Sequence, residues 1–419
     1  MMEQQELKAS FLKNAGYFVK WTALSGMIGL VVGFIGAVFG RCLVWTGEFT
    51  GTHSWTLYLL PVAGLLIVWL YHICKEENNR GTNTVMEAIY SDQEITLATA
   101  PLIFVSTILT QFGCGSSGRE GAALQLGGSL GNLLGKWFRL DEKDRKVMVM
   151  CGMSAAFAAL FGTPLAAAIF SMEVVSIGVL YYAALIPCLF SSFLGAGTAK
   201  ALGMHGESFS MGTIPEFTFG GAVYIVFLGI LCALVSCLFC IVLHQAGHIY
   251  QKCFPNPYIR IAAAGVLVIL LTWICGSRDY NGSGIPLIER AMEGDVRYEA
   301  FLLKMLFTAV TLGAGFKGGE IVPTLCVGAV FGCAVGTLLG FSPSLSAGCG
   351  MAALFVGVTN CPISTLLISF ELLGYEAMPY FALIIGVSFT LSGYYGLYSS
   401  QKFTYSKTKA EFINRKARS

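Results

Sequence analysis

Long apolar blocks separated by short polar breaks run through most of the chain. The clearer ones cover residues 21–44, 55–71, 97–112, 147–170, 180–202, 222–243, 261–274, 301–312 and 380–397. At about twenty residues per bilayer crossing, this predicts roughly ten to twelve helical spans, some short or interrupted. The expected fold is therefore all-α, a polytopic membrane protein. Polar residues collect at the two ends, which predicts an N-terminal segment over 1–20, a membrane domain over 21–400 and a basic tail over 401–419.

One polar interruption falls inside membrane-grade sequence. Residues 115–121 read GSSGREG, with apolar residues before them and the small-residue run 122–131 after. Burying Arg119 and Glu120 in hydrocarbon costs several kcal/mol unless they are paired or wet. Clustered glycines expose backbone amides, and a helix starting there aims its positive end at whatever fills the gap. Broken helices whose N-termini meet at the bilayer midplane are how secondary transporters hold anions. A carboxylate at such an N-terminus can occupy the anion site and leave it when protonated. In a soluble chain the same string would be a glycine-rich turn carrying a surface ion pair.

The interruption recurs. Gly118-Arg119-Glu120 is matched by Gly318-Gly319-Glu320, and each is followed, ten residues after its first glycine, by Gly128 or Gly328. Further on, Pro164 and Pro362 each open an apolar stretch that reaches a glutamate nine residues later, Glu173 and Glu371. Two motifs in the same order and at near-matching spacing predict a duplication, with repeats over about 21–205 and 215–400. Gly- and Pro-interrupted segments at corresponding places in two halves point to a midplane site. The layout predicts two inverted repeats with broken helices meeting at the midplane.

Composition narrows the class. Hydrophobic residues make up 55% of 419 and charged residues 12%, about half the charged share of an ordinary soluble domain. The net charge of +2 implies no nucleic-acid face. Both ends are basic, with Lys8, Lys13 and Lys20 at the front and Lys402, Lys407, Lys409, Arg415, Lys416 and Arg418 at the back. Both termini are accordingly expected in the cytoplasm. The fourteen cysteines sit mostly singly in apolar runs and read as small buried hydrophobes, with no metal or redox spacing. His244 and His248 alone share a helix face, and no zinc-protease string occurs. Nothing calls for an enzyme, a cofactor or a metal.

These residues also carry a family resemblance. Gly-Arg-Glu-Gly after a glycine/serine turn, with Gln125 and the 127–131 glycine cluster, resembles the signature of the CLC chloride channels and anion/proton antiporters. So do residues 318–323 (GGEIVP), the Gly/Ala-rich stretch 155–173, its mirror at 350–372, and Tyr398. The resemblance covers about 21–398 and implies antiparallel halves and a homodimer with one anion path per subunit. It implies Glu120 as the gate and an anion site built from Thr82, Asn83, Gly118, Arg119, Gly121, Gly319, Ile321 and Tyr398. On the residues alone, Thr82 and Asn83 could instead be helix caps, Tyr398 an interfacial anchor, and Glu320 a solvated helix-start residue.

Departures from the chloride pattern point to a subtype. Where chloride members carry Gly-Ser-Gly-Ile-Pro, this chain has residues 81–85 (GTNTV), and the unaltered string occurs at 282–286. The inner proton-relay glutamate of chloride/proton exchangers is replaced by Val174, and Glu320 stands where chloride members are apolar. This combination resembles the fluoride-specific branch. It implies a fluoride/proton antiporter of the cell membrane, exporting cytoplasmic fluoride, with Glu120 and Glu320 handling protons. Two carboxylates near an anion repel it, so at least one is expected to be protonated when fluoride is bound. The alternative is a chloride-conducting or chloride/proton-exchanging member on the same fold.

Overall fold

The computed structural model describes residues 2–91 and 94–418, with 2–9 as backbone only, so the Lys8 side chain lies outside the described residues. The first half runs α1 (Met2–Thr52), α2 (Leu60–Ile73), α3 (Thr82–Tyr90), α4 (Thr99–Phe112), α5 (Glu120–Trp137), α6 (Glu142–Phe161), α7 (Pro164–Glu173) and α8 (Leu185–Ala201). The second half repeats the order with α9 (Phe219–Cys253), α10 (Pro257–Cys275), α11 (Ile285–Met292), α12 (Ala300–Gly313), α13 (Ile321–Leu339), α14 (Pro343–Thr359), α15 (Pro362–Leu373) and α16 (Met378–Leu391). The fold is all-α, and among the described residues six helical segments are long and apolar enough to cross a membrane, α2 and α8 counting with the 3-10 turns that lead into them. Shorter apolar helices lie between them, as expected where spans are broken. Exposed Leu30, Phe34, Leu234, Trp273 and Ile274 put apolar side chains on the outer surface, where a bilayer rather than water suits them.

Local chemistry explains the breaks. The single apolar block at 147–170 becomes two helices because Gly162 ends α6 in the left-handed region (φ 73°) and Pro164 opens α7. At the other end of α6, Asp141 accepts from the Asp144 amide at 2.7 Å and sets its start. The first apolar block is longer than expected: residues 2–20 are helical and continuous with α1.

Two glycine-lined crossings organise the halves. An added Cβ at Gly127 would lie 2.1 Å from the Gly152 carbonyl oxygen, and one at Gly131 would lie 2.2 Å from that of Met148, so α5 and α6 touch backbone to backbone. In the second half, Gly328 meets the Gly350 oxygen at 2.4 Å and Gly332 meets that of Ser346 at 2.0 Å, joining α13 to α14. These contacts correct the repeat register by one residue. Gly328 is the counterpart of Gly127, not of Gly128, and α13 begins at Ile321 where α5 begins at Glu120. Glu320 therefore occupies the N-cap position that Arg119 holds in the first half.

The halves face in opposite directions. Glu173 near the end of α7 accepts from the Ile363 and Ser364 amides at the start of α15, at 3.2 and 2.8 Å. Glu371 near the end of α15 accepts from the Leu165 and Ala166 amides at the start of α7, at 3.0 and 2.9 Å. Each carboxylate satisfies amides that a helix start leaves without partners, so the two helices lie antiparallel.

Residues after 400 are part of the packed unit. Strand β2 (Lys402–Tyr405) pairs in parallel with β1 (Ser176–Ile177) and antiparallel with β3 (Phe412–Lys416). Lys407, in the segment expected to be a basic cytoplasmic tail, is tucked in, donating to Asn360 Oδ1 at 2.5 Å and the Phe389 carbonyl at 2.9 Å.

The crossings yield a stability prediction. Gly332→Ala sets a methyl 2.0 Å from a backbone oxygen and is expected to cost about 1–3 kcal/mol, read as a lower melting midpoint of purified protein. Gly47→Ala, with nothing within 4 Å, should be neutral or stabilising by up to about 1 kcal/mol. Equal midpoints for the two variants would contradict the crossing argument.

Candidate functional site

The two glycine turns meet at the centre of the molecule. Gly118 N donates to the Gly319 oxygen at 2.7 Å, and Gly319 N donates to the Gly118 oxygen at 2.8 Å. This reciprocal antiparallel pair uses up two amides that the sequence reading assigned to an anion. Beyond the pair, α5 and α13 begin with their N-termini close together. Among the described residues, the Gly121 and Ala122 amides of α5 and the Ile321 and Val322 amides of α13 have no acceptor. These are the orphan donors of the two helix starts.

Glu120 is buried and folds back over its own turn. Its Oε2 accepts from the Arg119 amide at 3.0 Å, and its Oε1 lies 3.3 Å from Arg119 Nε. Arg119 is also buried, so a surface ion pair is excluded. Its guanidinium also contacts Glu207 and lies 3.4 Å from the Leu160 oxygen. The Arg119 side chain is thus committed to carboxylates and a carbonyl, contrary to its expected place as an anion ligand. Glu207, in the loop between α8 and α9, was missed because nothing local in its sequence marks it.

Glu320 comes to the same centre from the other half. Its Oε2 is buried without a hydrogen-bond partner and lies 3.0 Å from where a Cβ on Gly121 would be. The residue is half-buried, but this enclosed oxygen sets it apart from a fully solvated helix-start carboxylate. Thr82 is beside it, but its hydroxyl donates to the Gly121 oxygen at 3.2 Å and accepts from Gln125 Nε2 at 3.3 Å. Neither Thr82 nor Asn83 caps α3, whose N-cap is Gly81 at φ 68°. Asn83 Oδ1 accepts from the Ser400 amide at 3.0 Å and its hydroxyl at 2.7 Å, so this side chain fastens the C-terminal segment.

That segment positions Tyr398. Leu397 N donates to the Val358 oxygen at 2.9 Å, and Gln401 Nε2 donates to the Val174 and Thr359 oxygens at 3.0 and 2.6 Å. The Tyr398 ring is buried, its hydroxyl has no partner, and it lies within electrostatic reach of Glu320 and Glu120. An interfacial anchor would not be enclosed in this way. The Tyr398 hydroxyl, the free amides of α5 and α13, and the two carboxylates are thus gathered at the centre of the molecule. Buried polar groups without partners are rare and usually have a ligand or a task.

A family model described as voltage gated chloride channel matches residues 63–393. The chain is 34% identical over 398 residues to a chloride/fluoride channel protein of Pseudomonas syringae pv. tomato, covering 93% of this chain and 88% of that one. It is similar to the crystal structure of a CLC-type fluoride/proton antiporter at a TM-score of 0.88 and 31% identity, covering 92% of this chain and 98% of that chain. A slow cyanobacterial Cl−/H+ antiporter, 19% identical, shares the fold at a TM-score of 0.75, over 89% of this chain and 94% of that one.

The anchoring of Tyr398 is open to test. Asn83→Leu removes the acceptor of two hydrogen bonds from Ser400 and should cost about 1–3 kcal/mol. Hydrogen exchange at the Ser400 amide should speed up relative to amides in α13. Unchanged protection there would remove Asn83 from this role.

Proposed function

Because the chain belongs to the voltage-gated chloride channel family, we propose that it is a fluoride/proton antiporter that exports cytoplasmic fluoride. The observation that carries this reading is the Tyr398 hydroxyl, buried without a partner and within electrostatic reach of Glu320 and Glu120. Fluoride is small and holds its water tightly, so dehydrating it requires close, strong donors. Tyr398 and the free amides at Gly121, Ala122, Ile321 and Val322 supply them. Thr82 contributes less, since its hydrogen is given to the Gly121 carbonyl.

Two carboxylates supply the coupling. Ionised, Glu120 competes with the anion for the α5 N-terminus. Protonated, it loses that attraction, withdraws and carries a proton with it. Glu320 offers a second carboxylate from the α13 turn, unpaired and therefore poised to accept a proton when fluoride arrives. Val174 supplies no acid on the inner side, which favours proton handling within the gap itself. In this reading the protein is a homodimer of the cell membrane, with both basic ends in the cytoplasm.

Reconstituted into liposomes, the protein should move fluoride far faster than chloride and drive protons uphill on a fluoride gradient. Equal chloride and fluoride flux would leave the chloride-transporting reading in its place. Glu120→Gln should abolish proton coupling, because an amide cannot shuttle a proton, and Glu320→Gln should severely impair it. Val174→Ala should leave coupling intact. Coupling at the wild-type ratio in Glu120→Gln would remove it as the gate.

Tyr398→Phe deletes one donor to a charged partner and should weaken fluoride binding by about 1.5–3 kcal/mol, measured by isothermal titration. Thr82→Val should weaken it less. Unchanged affinity in Tyr398→Phe would take the hydroxyl out of the site.

A further inference from the structure

Arg119 serves two carboxylates. Its Nε reaches Glu120 Oε1 at 3.3 Å, and a terminal nitrogen contacts Glu207 Oε1. Glu207 is held in place by its own backbone, whose amide donates to the Phe161 oxygen at 3.0 Å at the end of α6. The Glu207 side chain is 23% exposed, against 1% for Glu120 and 7% for Arg119. A line of paired charges therefore runs from the buried carboxylate, through a buried guanidinium, to a carboxylate that meets solvent.

We propose that Glu207 is a positioning residue for the gate, holding Arg119 so that Glu120 is free to take up a proton and withdraw. This rests on the reading of Glu120 as the proton-carrying gate. Were Arg119 paired with Glu120 alone, protonating Glu120 would strand a buried, uncompensated guanidinium, which is costly. With Glu207 already neutralising the arginine, Glu120 can lose its charge without that penalty. The second carboxylate also offsets the field of Arg119, which would otherwise hold Glu120 ionised. Besides Arg119 and Glu207, the titratable group within electrostatic reach of Glu120 is the Tyr398 hydroxyl from the segment after α16, while Glu320 Oε2 lies against Gly121. Tyr398 makes no hydrogen bond to Glu207, so a substitution there isolates its contribution.

The test is a pH titration of the carboxyl band of Glu120 in reconstituted protein by infrared difference spectroscopy, the band being the one lost in Glu120→Gln. Glu207→Gln should move the midpoint to lower pH by about one unit or more, while Glu207→Asp should stay near wild type. Glu207→Ser, which removes the same charge, should match Glu207→Gln and serves if that variant does not fold. An unmoved midpoint in a folded, charge-removed variant overturns the inference, as does a Glu120 band that does not titrate in wild type. A protein that folds and titrates as expected but shows no proton-coupled fluoride flux would instead overturn the functional reading and leave the Glu207 contact standing.

Discussion

Two helix N-termini point at each other in the middle of this protein, and the rest of the architecture manages the consequence. Each start carries roughly half a positive elementary charge on its unpaired amides. Facing them together is unfavourable unless negative charge or strong acceptors lie between. The reciprocal bonds between Gly118 and Gly319 fix the separation. The turn glycines allow the approach, since a Cβ on Gly319 would lie 2.5 Å from the Gly121 nitrogen. Glu120 and Glu320 then supply negative charge from within the chain. In the reading developed above, a fluoride ion supplies it in turn, so anion and carboxylate compete for the same donors.

The sequence made the centre legible because its chemistry is local. A charged pair among glycines inside apolar sequence has few explanations, and its second occurrence implied a repeat. The two glutamates nine residues beyond their prolines marked the duplication, and the structure adds that each caps the other repeat's helix start. Other features depend on contacts between distant segments and leave no local mark. Glu207 is one acidic residue in a polar loop until the fold brings it to Arg119. Asn83 looks like a ligand or a cap until Ser400, far along the chain, takes its oxygen. The repeat register could not be fixed from the string either. Glycines at 127 and 128 and at 318 and 319 allow two alignments, and only the contacts with Gly152 and Gly350 choose between them.

The C-terminal segment was read as an appended basic tail because its composition is polar. Its structure follows from what it must hold. Tyr398 stands on a stretch without regular structure between α16 and β2, which would be mobile by itself. Asn83, Gln401 and the pairing of β2 with β1 tie that stretch to both halves. Lys407 buries its amine among oxygens from Asn360 and the end of α16. In the reading proposed above, where this hydroxyl meets a dehydrated ion, its placement depends on such support.

The corrected register also shows how a symmetric scaffold acquires direction. Arg119 and Glu320 hold the same N-cap position in the two repeats but carry opposite charge. On the first-half side, the arginine pairs with the buried Glu120 and with the partly exposed Glu207. On the second-half side, the carboxylate faces Gly121 and the enclosed Tyr398, and no cation pairs with it among the described residues. An internal two-fold with identical caps would give an ion the same surroundings from either face. Opposite caps make the approaches chemically distinct: one ends in an ion-paired chain open to solvent, the other in an unpaired acid beside a hydroxyl donor. The charge reversal at one cap position is what separates the two approaches.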